Sequence, residues 1–286
     1  MLIKRNKVGF ATTGYWIHLQ LVTEIKMEEL VNQTVSWFNA YYGSFENLDQ
    51  TQQINFGIKK NHSERVALLS MVLAEKMKWT PEEADLAYLA GLLHDVGRFR
   101  QLLEFSTFDD EKSVNHAELS VKVLTEESVL KSFGEESSEI IFQAIKNHNK
   151  LVVSPGVKGR QLSFARLLRD ADKIDILKVL SEYYLNKNGK PNHTLTWELS
   201  QKPEISKSVL NEVLSGKMVS KKNIVTENDV KIMQLSWVFD LNYKPSFEHL
   251  AKCRYLESIY STLPKSDVAI DVYRKVKVFV ENRILN

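Results

Sequence analysis

Apolar residues recur along this chain at spacings of three, four and seven, the repeat of a helix face, and almost nowhere alternate with polar ones as a half-buried strand would require. Leu30, Val31, Val35 and Phe38 predict a helix over 27–42, which the polar run 43–49 breaks. Val66, Leu69, Leu73 and Met77 form the stripe of a long helix over 54–79. Thr80-Pro81-Glu82-Glu83 reads as the next helix start, with Thr as N-cap, Pro at the first position and acids against the positive end of the dipole. That helix is expected to run to Asp95. A short apolar segment follows at 99–105, then a polar loop at 106–114. Asn115, with Glu118 three residues on, resembles a capping box, and another helix is expected over 135–148. Pro155, Gly156 and Gly159 mark a loop at 150–160, ahead of a long helix over 161–185. Asn186 to Pro191 is the strongest linker signal in the chain. Beyond it, helices are expected over 205–214, 227–239, 247–260 and 266–283. The fold class is therefore all-α: a helical core over 27–188, an extension over 1–26 loosely tied to it, and a helical C-terminal region over 189–286.

Composition narrows the partners more than the fold. The 286 residues allow one large domain or a core with an appendage, and 43% hydrophobic with 26% charged residues is ordinary for a soluble globular protein. A net charge of +2 leaves no electrostatic footprint for nucleic acid or an anionic membrane, so neither is expected as a partner. Cys253 is the one cysteine, which excludes an internal disulfide and thiolate metal clusters and fits a reducing cytoplasm. Met1 to Lys7 is basic enough to open a signal peptide. Thr12, Thr13, His18 and Gln20 make the run that follows poor as its apolar core. The chain carries no internal repeat, phosphate-binding glycine loop or nucleophile elbow.

Candidate chemistry gathers around the stretch Ala87-Tyr-Leu-Ala-Gly-Leu-Leu-His-Asp-Val-Gly-Arg-Phe-Arg100. Seven apolar or small residues lead into His94-Asp95, two strong metal ligands, and Gly97 fits the left-handed position that closes a helix. The carbonyls at such an end favour a cation. His62 precedes Val66 by four and Leu69 by seven, and His148 follows Ile141 by seven and Ala144 by four, so both lie on apolar stripes. Asp172 sits among Ala165, Leu168, Ile176 and Val179 at the same spacings, where an unpaired carboxylate is costly to bury. His116 follows the N-cap Asn115. Taken singly, His62 and His148 also fit hydrogen-bonded core histidines, His116 a surface residue, and Asp172 a partner of Arg169 or Lys173. Taken together, one or two divalent cations satisfy all of them at once. His18, His193 and His249 lack such a context.

The order His62, His94-Asp95, Asp172 resembles the signature of the HD-domain superfamily of metal-dependent phosphohydrolases. Gly97-Arg98 is similar to the pair that often follows its His-Asp, and Arg169-Asp-Ala-Asp-Lys-Ile-Asp175 to its closing motif. His116 and His148 match the two further histidines of the subgroup that holds two metal ions. The resemblance covers roughly residues 55 to 185. It implies a helical bundle in which His62, His94, Asp95 and Asp172 hold a first ion, Asp95 bridges, and His116 and His148 complete a second. Iron or manganese leads for the metal, with magnesium, cobalt, nickel or zinc as alternatives. It further implies a small phosphorylated substrate, a nucleotide first, hydrolysed by a metal-activated water. Such chemistry calls for Lys or Arg near the metals, and Arg98, Arg169 and Lys173 stand beside candidate ligands in the sequence, so with Asp95 they are the candidate catalytic residues, solvated surface cations being the alternative for all three. Lys146 is a further cation near a ligand, and Glu64 and Asp170 are possible proton carriers. Asn147-His-Asn-Lys-Leu-Val-Val-Ser-Pro155 stands where the cyclic dinucleotide branch carries His-His-Glu and Gly-Tyr-Pro, which argues against cyclic-di-GMP. A two-iron oxygenase on the same ligands and a non-catalytic nucleotide-binding module are the competing readings.

Overall fold

Helix caps written in the sequence decide where the first elements begin. The computed structural model describes residues 14–186, 199–200 and 202–286, with side chains from Lys26 onward. Helix α1 (Gly14–Gly43) starts well before the stripe over 27–42, because no breaker stands between its two glycines. Met1 to Lys7 lies outside the described residues. Helix α2 (Gln50–Lys76) opens on a capping box between Asp49 and Gln52, and α3 (Pro81–Leu93) on one between Thr80 and Glu83. Helix α4 (Gly97–Phe105) follows after a three-residue turn, so the helix expected to reach Asp95 stops short of the His-Asp pair. Helix α5 (His116–Glu126) is capped by the Asn115 side chain, which accepts from the Ala117 and Glu118 N–H groups. Only this half of the expected capping box is seen. Helix α6 (Glu135–His148) begins after Gly134, whose φ of 80° suits glycine alone.

The chain divides into two compact units, Met1–Leu168 and Arg169–Asn286. In the first, α3 is the buried centre: Leu86, Leu89, Leu92 and Leu93 are fully covered, facing Val66, Ala67 and Leu73 of α2. Gly91 permits that crossing. A Cβ there would stand 2.7 Å from the Ala67 Cα, so a side chain would force the two backbones apart. The boundary falls within α7 (Gly159–Leu185), upstream of the linker signal at 186–191, most of which lies outside the described residues.

The second unit takes in the C-terminal half of α7 with α8 (Lys207–Leu214), α9 (Glu227–Ser236), α10 (Lys244–Cys253), α11 (Tyr255–Tyr260) and α12 (Asp267–Leu285). Polar side chains tie α7 to the start of α10. Asp170 is fully buried and accepts from the backbone N–H of Asn242 and Tyr243, the Asn242 amide and the Ser246 hydroxyl. Burial pushes its carboxyl up, against those donors, to about 6. Where one helix was expected over 247–260 there are two, because Arg254 adopts a left-handed φ of 58° between α10 and α11. The described residues hold no strand, only an isolated bridge between Ser200 and Thr226. No described helix is long and apolar enough to cross a membrane.

Candidate metal centre

Four helices of the first unit bring polar side chains to one carboxylate. His62 projects from α2, His94 caps the end of α3, His116 opens α5 and His148 closes α6. All four are buried, and so is Asp95, in the turn between α3 and α4. Gly97 makes this approach possible, though not as a left-handed cap. Its φ is not positive, and it is the first residue of α4. A Cβ on Gly97 would meet the Ser120 backbone N at 2.5 Å and the His116 carbonyl O at 2.7 Å. The Gly97 N–H donates to Ser120 Oγ at 2.9 Å, and that hydroxyl donates to the His116 carbonyl, locking the Asp95 turn onto the start of α5.

The two oxygens of Asp95 divide the histidines into pairs. Oδ2 lies 3.6 Å from His94 Nε2 and 3.8 Å from His62 Nε2. Oδ1 lies 3.4 Å from His116 Nε2 and 3.9 Å from His148 Nε2. Three of the rings are held by their other nitrogen: Nδ1 of His94 faces the Gly91 carbonyl at 2.7 Å, Nδ1 of His148 the Ile145 carbonyl at 2.7 Å, and Nδ1 of His116 the Asp110 carboxylate at 2.6 Å. A carbonyl can only accept, so Nδ1 carries the proton in His94 and His148, and an ionised carboxylate imposes the same tautomer on His116. Burial lowers the His116 pKa despite its bond to Asp110, which keeps the ring neutral. The Nε2 atom of each of these three rings lies toward Asp95. Those of His116 and His148 stand 3.0 Å apart, and Arg98 Nη2 reaches His116 Nε2 at 3.4 Å.

Asp95 meets this arrangement ionised. Burial alone would raise its carboxyl, but Lys59, His94, Arg98 and His116 outweigh that and hold it well below the ordinary range. The Lys59 ammonium lies 2.9 Å from Oδ2 and the Arg98 Nε 3.6 Å from Oδ1. Even so, Asp95 Oδ1 is buried and accepts no hydrogen bond. A buried carboxylate oxygen that accepts no hydrogen bond, set among histidine Nε2 atoms, is what a divalent cation corrects. His94, Asp95 and His148 bring their ligand atoms within 4.8 Å of one another, close enough to share one ion. The donor set, imidazole and carboxylate without thiolate, suits iron, manganese or zinc.

Two residues of the centre carry no signal in the sequence pattern. Lys59 precedes His62 by one turn on α2. Asp110 lies in the loop between α4 and α5, where it fixes the tautomer of His116 and receives Arg98 at 2.9 Å. Its carboxyl is held far below the ordinary range, against burial, chiefly by His116 and then Arg98. Arg98 also donates to the Phe108 carbonyl and to Gln101, and so braces this loop against the centre. Glu64, a candidate proton carrier, pairs with Lys60. Lys146 lies half-buried on α6.

Asp172, Arg169 and Lys173 belong to the second unit, on α7. There Asp240 pairs with Arg169 at 2.6 Å and with Lys173 at 2.8 Å. Asp170, two residues from Asp172, caps the start of α10 as described above. His249 contacts Cys253 Sγ at 3.6 Å in the same unit, while His193 and the side chain of His18 lie outside the described residues.

Comparison with curated proteins and with solved structures returns no match. A family model does match: that of the HD domain, over residues 60–177, a span that runs from just before His62 to just past Asp172. The HD domain is an all-α fold that binds divalent metals, in a superfamily of metal-dependent hydrolases, and the helices and the histidine–carboxylate cluster found here agree with it. Residues 60–177 of this chain are an HD domain.

Proposed function

We propose that this protein is a two-metal phosphohydrolase acting on a nucleotide or another small phosphoester. One observation carries the reading: the two oxygens of a single ionised Asp95 each face their own pair of histidines, His62 with His94 and His116 with His148. A bridging carboxylate between two cation positions has this form. Asp172 is proposed as a further ligand from its place in the matched stretch. When bound, the ions supply an acidified water as nucleophile and polarise the phosphoryl oxygens.

The chain's own residues supply the rest. The Gly91, Ile145 and Asp110 acceptors keep three imidazoles in one tautomer, so ligation needs no proton rearrangement there. Lys59 and Arg98 are the cations that face the carboxylate from the outside. The Lys59 ammonium, 2.9 Å from Asp95 Oδ2, would turn its N–H donors to phosphoryl oxygens once Asp95 served as a metal ligand. Arg98 stays tied to Asp110 and Phe108 and acts through the loop it braces. Arg169 and Lys173 are already engaged by Asp240, so no substrate contact is assigned to them.

The test is phosphate release from a panel of nucleotides and small phosphoesters by Mn²⁺-loaded protein under argon. Turnover is expected to persist without oxygen and to vanish in His94→Ala and Asp95→Ala. Turnover that requires O₂ and is lost with Mn²⁺ would replace this reading with the oxygenase one.

A further inference from the structure

The polar loop between α4 and α5 carries one aromatic residue, Phe108, and its ring lies against the two cations that flank Asp95. The Lys59 ammonium stands 5.4 Å from the ring centroid and the Arg98 guanidinium carbon 5.8 Å, both within reach of the negative face of an aromatic ring. The two side chains are 18% and 13% exposed, so water screens these contacts only in part. The backbone keeps the ring in place. Arg98 donates to the Phe108 carbonyl, and two residues on Asp110 accepts from Arg98 at 2.9 Å and from Gln101 at 3.0 Å. Fully buried Gln101 also donates to Ser113 Oγ at 2.8 Å and to the Val114 carbonyl at 2.9 Å, which closes the loop on α4.

The two cations are held differently. Arg98 is fixed by hydrogen bonds to Gln101, the Phe108 carbonyl and Asp110. Among the described residues two groups hold the Lys59 ammonium, Asp95 Oδ2 at 2.9 Å and the face of Phe108. Asp95 is itself a proposed metal ligand, so its carboxylate is shared. The ring is the other contact that keeps a flexible lysine side chain from spreading into solvent. A carboxylate in place of the ring would hold the ammonium too, but it would cancel the charge and repel an anion. A neutral ring holds the cation and adds no negative charge. We propose that Phe108 is a positioning residue that keeps the Lys59 ammonium beside Asp95 as the anchor for the phosphoryl group of the substrate. This rests on the phosphohydrolase reading and adds to it the residue through which the loop governs substrate affinity.

The probe is methylphosphonate, which cannot be hydrolysed, titrated calorimetrically into Mn²⁺-loaded full-length protein. Phe108→Leu is expected to weaken its binding by about three- to tenfold with metal content unchanged, and Phe108→Tyr to keep the wild-type affinity. Lys59→Met is expected to weaken binding at least as much. Adding Phe108→Leu to it is expected to change nothing further, because a positioning residue acts only through the group it positions. Replacing Phe108 by ring-trifluorinated phenylalanine keeps the shape of the ring and drains its negative face. That variant is expected to reproduce the loss, and it carries the test should the leucine variant fold poorly. Unchanged affinity in the leucine or the trifluorinated variant overturns the assignment. So do losses from Phe108→Leu and Lys59→Met that multiply in the double variant, since the ring then only packs the loop. Loss of metal along with affinity in the trifluorinated variant overturns it as well. No binding of methylphosphonate to the loaded wild type removes the phosphoester reading itself, and the role of Phe108 with it.

Discussion

At the scale of single residues, the centre is organised by which atoms are already committed. Asp110 is informative because it touches no position a metal would take: it holds the Nδ1 proton of His116 and so aims Nε2 at Asp95. Asp110→Asn is expected to weaken Mn²⁺ binding by roughly 10- to 100-fold while leaving the helix content intact, measured by metal titration and circular dichroism. Unchanged affinity would mean that His116 needs no second partner. The histidines and Asp95 were legible in the sequence because each sits on or beside an apolar helix stripe, where a polar group is anomalous. Lys59 and Asp110 were not. A lysine on a helix and an aspartate in a polar loop look like solvated surface, and only the path of the 106–114 loop reveals otherwise. Arg98 was legible as a cation next to the motif, but its commitment to Asp110, Gln101 and Phe108 depends on that same loop.

At the scale of elements, close approach of backbones matters more than helix caps. The spacing pointed to Gly97 as a left-handed terminator; its use is instead the contact of α4 with α5, where a methyl would press on Ser120 N and the His116 carbonyl. Gly97→Ala is expected to cost on the order of 2–3 kcal/mol in denaturant unfolding and to reduce metal content, because the overpacked turn carries Asp95. Gly156→Ala is the control, since an added Cβ there meets nothing within 4 Å. Equal stability of the two variants would contradict the close-approach role. Helix starts at Thr80 and Asn115 were readable because N-caps are local chemistry. The break at Arg254 was not, since no glycine or proline marks it and a left-handed φ is uncommon for arginine.

At the scale of the whole molecule, the helical class followed from periodicity alone, whereas the division into units did not. The linker signal at 186–191 lies downstream of the boundary at Leu168, because Arg169, Asp170 and Lys173 bind partners some seventy residues further on. Contacts of that sequence separation leave no local pattern. Stability should depend on metal. Without it the first unit buries an ionised Asp95, whose Oδ1 accepts no hydrogen bond, among four histidines. Full chelation is therefore expected to lower the melting temperature, and added Mn²⁺ to restore it by roughly 3–4 kcal/mol of linkage at a hundred to a thousand times Kd. No shift after verified metal removal would mean that these groups are satisfied by protein alone.

The most direct measurement is the metal content of the purified protein, wild type beside Asp95→Ala and His116→Ala. Asp95 faces both histidine pairs, whereas His116 faces one. More than about one transition-metal ion per chain is expected in the wild type, partial loss in His116→Ala and near-complete loss in Asp95→Ala. Less than about a tenth of an ion per chain in the wild type, even after reconstitution with iron or manganese, would contradict the account.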